Sequence, residues 1–346
     1  LIHIKGFHIH LANLDLQHQQ ELRVSREARL INPYQIRTRL WRLARNTDLS
    51  EDFIMSKQAE RIITPIIDIF KNAPETDTTA HFNRLWGIMD EMHAKIMKRF
   101  KLQRDPCCDD LINYTAPTGM KGNTEVYSGP EIDWYVHSWC GHPKKGFSNM
   151  HITITLGPQV LVPNFGCALG TIPKLFMYND LIPRVDTLTN IDYVDQFYTE
   201  VNQEFLSFAE DPRFKPFVSR DLYTRFAITP TAVGYSAEPE DEIFEKIREV
   251  YMNRLDRWLK WVDEAPKTPV EIREQIAQRD HIIRRNICER DPANNMADEF
   301  YGKELGDRLV KTISAQCRTL PRPSLTNTVS PAWNPNTAGE NKPSNY

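Results

Sequence analysis

From residue 149 to residue 156 the chain alternates without exception. Met150, Ile152, Ile154 and Leu156 point one way; His151, Thr153 and Thr155 point the other. Only a strand has a side-chain period of two, and two unlike faces mean a sheet with different neighbours above and below. Three more short runs surround it, at residues 132–139, 159–165 and 174–178, separated by Gly, Pro and Asn. Spacing this short predicts antiparallel pairing, because parallel neighbours need a crossover of about a dozen residues or more.

Helical periodicity brackets these strands. Ser50 is placed to cap a helix with Glu51 and Asp52 in its first turn, where the dipole favours acids. Thr79 is placed to cap a second, in which Phe82, Trp86, Met89, His93, Ile96 and Phe100 recur every three or four residues. Residues 191–209 form another. Pro239 opens the next, with a stripe of Ile243, Ile247, Tyr251, Leu255, Trp258 and Val262. Pro269 opens a helix to about Cys288, and the last is expected over residues 296–316.

The two ends differ from this middle. Residues 1–49 read as a basic arm: seven arginines and one acid, Glu27, lie between Arg23 and Arg45. It is either a solvated surface segment or a docking arm for an acidic protein surface or an anionic membrane face. Residues 319–346 are rich in Pro, Asn, Ser and Thr and read as an extended tail. The division is therefore an arm at 1–49, a folded domain at 50–318 and a tail at 319–346. Leu1 stands where a Met would begin a full chain, so a processed or truncated chain is expected.

Composition excludes several classes. The 346 residues carry a formal charge of -3, against a dedicated nucleic-acid binder. No apolar run approaches the roughly 18–20 residues of a membrane span. Six scattered cysteines without a CxxC pair suit a reducing compartment, and Cys107–Cys108 read as free thiols. His137, Cys140 and His142 are close in sequence but lack ligand-pair spacing and a fourth ligand, so no metal is expected. His151 is either a hydrogen-bonded histidine near solvent or a proton donor lining a pocket on the sheet.

The segment from Asp211 to Ala232, DPRFKPFVSRDLYTRFAITPTA, resembles red chlorophyll catabolite reductase, within the ferredoxin-dependent bilin reductase superfamily. Further pieces follow the family's order: Ile132-Asp133-Trp134 with Ser138-Trp139; Pro163-Asn164-Phe165; Asp180-Leu181 with Arg184, Asp186, Asn190, Asp192 and Tyr193; Arg279-Asp280 with Arg284-Arg285; and Phe300-Tyr301-Gly302. The resemblance spans roughly residues 80–316. It implies a three-layer α/β/α sandwich with a central, mostly antiparallel sheet, and a pocket for a linear tetrapyrrole between the sheet and the C-terminal helices. It implies electrons from reduced ferredoxin and no bound flavin, metal or nicotinamide.

The resemblance also implies roles. One pocket acid falls on Asp291; the other falls on Ala168, where the carboxyl is missing. His151 falls where related enzymes place a residue facing the pigment, and Arg184 and Arg225 match positions that could meet pigment propionates. Losing a general acid costs about 10²–10⁴ in rate. The expectation is a plastid protein of the stroma or the stromal thylakoid face, with reductase activity weakened or lost. It would serve as a connector subunit of a photosynthetic complex, docked through Arg37, Arg39, Trp41, Arg42, Arg45 and Trp333. The alternative is an active ferredoxin-dependent reductase of red chlorophyll catabolite or a bilin.

Overall fold

The computed structural model describes residues 74–325, apart from 217, 218, 220, 292, 293, 295 and 296. The arm, the helix expected from Ser50 and Trp333 lie outside the described residues.

Nine strands form one sheet: β1 (Gln103–Arg104), β2 (Tyr114–Thr115), β3 (Lys121–Ser128), β4 (Ile132–His142), β5 (Phe147–Leu156), β6 (Asn164–Ile172), β7 (Lys174–Ile182), β8 (Lys215–Pro216) and β9 (Val233–Ala237). Their order is β1-β3-β4-β5-β6-β7-β9-β8, with β2 pairing β3. Every pairing described is antiparallel. The helices are α1 (Thr79–Arg99), α2 (Ile191–Ala209), α3 (Leu222–Ala227), α4 (Asp241–Glu264), α5 (Val270–Arg290), α6 (Ala297–Tyr301) and α7 (Lys303–Ile313).

One face of the sheet is a closed core. Met150, Ile152, Ile154 and Leu156 of β5 pack with Leu85, Met89, Met92 and Ile96 of α1 and with the stripe of α4, all buried. The α4 stripe is the one its spacing predicts, and Tyr251 and Trp258 add polar anchors. Tyr251 donates its hydroxyl to the Tyr178 carbonyl (2.9 Å), and Trp258 Nε1 donates to the Pro163 carbonyl (2.8 Å). Phe197 and Phe208 of α2 complete this layer.

The opposite face carries α5, α6 and α7 and is packed differently. Small apolar clusters close its β3–β4 side, around Val126, Trp134 and Val136 with Ala315, and around Tyr114 with Tyr301. Only Arg273, Ile276, Asp280 and Cys288 of α5 are buried, so this helix brings little apolar surface to the sheet. It is tied by charge. Arg184, after β7, is fully buried; it pairs with Asp280 of α5 (2.6 Å) and donates to the carbonyls of Leu156, Gly157 and Val160. A bulge in β4 frees Asp133 from the ladder and aims it at Arg284 of α5 (2.8 Å) and Arg318 (2.9 Å).

Four sequence expectations shift. Residues 159–163 are loop, and the strand is Asn164–Ile172, whose Gly166 and Gly170 hide the alternation. Thr79 is the first residue of α1, not its cap; Thr78 flanks the helix but spends its hydroxyl on the Pro143 carbonyl and Thr171. The last helix is broken at Gly302 (φ 78°), a conformation that glycine adopts at no steric cost. Residues 319–325 pack on the domain: Thr319 and Leu320 donate their backbone N–H groups to Asp105 (both 3.0 Å), and Leu320 is buried.

Breaking a buried ion pair strands a charge, at a cost of about 3–5 kcal/mol, whereas replacing both partners by apolar residues is close to neutral. Asp280→Leu is therefore expected to lower unfolding free energy by about that amount in urea titration, and Arg184→Met with Asp280→Leu to recover most of it.

Candidate functional site

The polar face of β5 is not covered. Thr153 lies on a central strand yet is exposed, and Thr155 and His151 are partly exposed. Beside Thr153 in the ladder is Gly166 of β6, where an added Cβ would meet nothing within 4 Å. A central sheet position with both faces packed would be buried. The open space, called the cleft below, lies on the face of the sheet to which the charged pairs tie α5.

Register places the lining. His151 opposes Ser138 on β4 and Ala168 on β6; Ala168 opposes Tyr178 on β7; Gly166 opposes Asp180. All share the cleft face. Burial deep in the cleft pushes the His151 imidazole down to about 4, so it is neutral at neutral pH. Tyr178 is pushed well above the usual phenol range, first by burial and then by the charge of Asp180, and so keeps its proton. It donates that proton toward Asp180 Oδ2 (3.2 Å). Asp180 is fully buried and also accepts from the backbone N–H of Thr229 (2.9 Å) and Leu181 (2.9 Å) and from the Thr229 hydroxyl. Burial raises its carboxyl despite those bonds.

Asp291 ends α5, its N–H on the Ile287 carbonyl (2.9 Å). Its charge is one of those that raise Tyr178. The structure thus sets His151 and Ala168 opposite one another across β5 and β6. Tyr178 and Asp180 join them; neither was singled out as a site residue, although their period-two spacing on β7 was visible.

The two proposed propionate ligands fare differently. Arg225 of α3 is exposed and donates to the Ser219 carbonyl (3.0 Å). Arg184 is the buried tie to Asp280, with all three guanidinium nitrogens engaged by protein groups, so it has none to offer a ligand. The basic rim lies elsewhere. Arg318 stacks on Trp134, 4.6 Å above its ring, and Trp134 opposes Thr155 on the cleft face. Nε and Nη1 of Arg318 are buried without a hydrogen-bond acceptor. Burial and the neighbouring Arg284 and Arg322 bring Arg318 down to about 10, against the pull of Asp133. Burial works to raise Asp133, but Arg318, Arg284 and Arg322 outweigh it and hold the carboxyl well below the usual range.

Among the described residues no cluster of His, Cys, Asp and Glu could hold a metal ion. His137 and Cys140 point to opposite faces of β4; His137 stacks between Trp86 and His93 in the closed core.

The fold is similar to that of a solved structure, tomato phytochromobilin synthase in complex with biliverdin. The TM-score is 0.57 at 12% identity, covering 71% of this chain and 85% of that one. The family model of red chlorophyll catabolite reductase (RCC reductase) matches residues 86–315, and the chain belongs to that family. The chloroplastic red chlorophyll catabolite reductase of Arabidopsis thaliana is 28% identical over 249 residues, 65% of this chain and 78% of the relative. The Hordeum vulgare enzyme is 24% identical over 197 residues, 53% of this chain and 96% of the relative.

His151 has a pH signature. Its folded value of about 4 lies below the unfolded value of about 6.5, so the unfolded chain binds the extra proton first. Its contribution to stability is full above about pH 6.5 and falls as pH drops from there toward 4. His151→Asn is expected to flatten the acid limb of unfolding midpoint against pH in that window, with no change in slope above pH 7.

Proposed function

We propose that this chain binds a linear tetrapyrrole in the cleft over β5–β7 and reduces it with electrons from ferredoxin, more slowly than relatives that carry an acid at the position of Ala168. The observation that carries this is the sheet face shared by His151, Tyr178 and Asp180, with exposed Thr153 and the free space at Gly166 beside them. Each electron added to the pigment must be matched by a proton, and a positioned acid is worth about 10²–10⁴ in rate. Tyr178 and His151 stand across the ladder from Ala168 on either side, and the Tyr178 phenol, oriented by Asp180, takes the place of the missing carboxyl as donor. Asp291 acts as the second acid. Neutral His151 donates a hydrogen bond to the pigment and holds its orientation. Arg318 and Arg225 supply cations for its carboxylate side chains.

The relatives carry chloroplastic names, which supports a plastid location, at the stroma or the stromal face of the thylakoid. Ala168 favours a second reading, in which turnover is lost. The chain would then serve as an accessory subunit of a photosynthetic complex, docked through Arg37, Arg39, Trp41, Arg42, Arg45 and Trp333.

The test is an anaerobic assay of the full chain with reduced ferredoxin and red chlorophyll catabolite, repeated with biliverdin. Slow turnover is expected. Ala168→Glu should raise it, and Tyr178→Phe and Asp291→Asn should each lower it by about tenfold or more. Turnover that none of the three substitutions changes would place the chemistry outside this cleft. No turnover in any variant, with pigment still bound, would favour the accessory reading.

A further inference from the structure

Cys107 and Cys317 are 210 residues apart in sequence, and their Sγ atoms are 2.7 Å apart in space. Cys107 opens the 3-10 helix Pro106–Leu111, which packs against β3; Cys317 lies just beyond α7. Both are free thiols. A disulfide has an S–S distance of about 2.05 Å, so less than an ångström of approach separates these sulfurs from a bond. The adjacent Cys108 takes no part: it is fully buried and donates to the Asp105 carbonyl (3.2 Å).

The two thiols are unlike. Cys317 is half-buried and shares a hydrogen bond with Cys107. That bond, together with Thr312 Oγ1 (3.5 Å) and the nearby Arg308 guanidinium, holds the Cys317 thiol below its usual range. Cys107, the more buried of the two, is pushed up. Arg308 is itself fixed by Asp110 (2.7 Å) and the Cys107 carbonyl. This is an electropositive, partly accessible setting of the kind that favours thiolate chemistry.

We propose that Cys107 and Cys317 form a reversible disulfide, with Cys317 as the attacking thiol and Cys107 as the resolving one. A low-molecular-weight disulfide, RSSR, is the oxidant. The Cys317 thiolate attacks one sulfur, forming a mixed disulfide and releasing RS⁻. Cys107 then loses its proton and attacks Cys317 Sγ, releasing the second RS⁻. Two cysteine thiols are oxidised to one disulfide, RSSR is reduced to two thiols, and the two cysteine protons end on them.

The bond locks a strap. Residues 318–325 cross the domain with Arg318 on Trp134 at the cleft rim, Thr319 and Leu320 on Asp105, and the Ser324 carbonyl accepting from Gln159 (3.2 Å). In the reduced chain these polar bonds and a few buried apolar side chains are its attachments. Oxidation ties Cys317, the residue that precedes it, covalently to the 3-10 helix.

The full chain, treated with oxidised glutathione, acid-quenched and blocked with N-ethylmaleimide, is mapped by mass spectrometry without reduction. Fragment spectra separate Cys107 from Cys108. The expected product is a Cys107–Cys317 cross-link that dithiothreitol reverses, and Cys107→Ser should instead accumulate glutathione on Cys317. Closing so long a loop should raise the melting temperature by about 10 °C. Trypsin should cut after Arg318 about tenfold more slowly in the oxidised chain, because opening of the strap limits cleavage. A Cys107–Cys108 link, or a Cys317 that stays fully alkylatable, overturns the proposal. A Cys107–Cys317 link that changes neither melting nor cleavage overturns the locking role.

Discussion

Two ion pairs, Arg184–Asp280 and Arg284–Asp133, tie α5 to the sheet, and the cleft exists because they do so without filling it. A helix with an apolar stripe, such as α4, settles into the sheet and closes the face. Helix α5 buries little besides charged groups, an isoleucine and a cysteine, so it can be fixed in position while space remains beneath it. Buried ion pairs contribute little net stability against well-packed apolar residues. Their use here is geometric. Arg184 also gathers three carbonyls of the β5–β6 connection, which sets the height of the helix over the strands.

The bulge in β4 belongs to the same arrangement. Without it Asp133 would continue the alternation and point into the closed core, where no cation waits. The extra residue turns it to the edge of the cleft face, where it collects Arg284 and Arg318. Arg318 keeps two donors unsatisfied, and a buried unsatisfied donor costs about 1–3 kcal/mol or more when charged. An anionic group at the rim would relieve that cost, which gives a carboxylate-bearing ligand a preferred end of the cleft.

Much of this was legible in the sequence. The strict alternation of residues 149–156 carried the sheet and the polar placement of His151, because a half-covered strand has only one pattern, and the short spacing between the runs carried the antiparallel order. The α4 stripe was equally plain. The strand at Asn164–Ile172 was not, since it is buried along nearly its whole length and its glycines obscure the period. Arg184 shows the limit for the site: a motif arginine suits a ligand or a buried partner equally well until Asp280, 96 residues on, is seen beside it. Tyr178 and Asp180 were hidden for a related reason, because only the β6–β7 register brings them opposite Ala168 and Gly166.

The central claim is that the uncovered face of β5–β7 is where pigment binds, and Gly166 is the place to test it. A Cβ added there meets no protein atom within 4 Å, so Gly166→Leu should start its side chain without a clash and project it from this face of the sheet. Biliverdin titration of the full chain, followed by visible absorbance and induced circular dichroism, is the direct measurement. The account predicts binding by the unmodified chain, and loss of at least about 1.4 kcal/mol, a tenfold change, in Gly166→Leu with its thermal unfolding unchanged. Equal binding by the two proteins would contradict it.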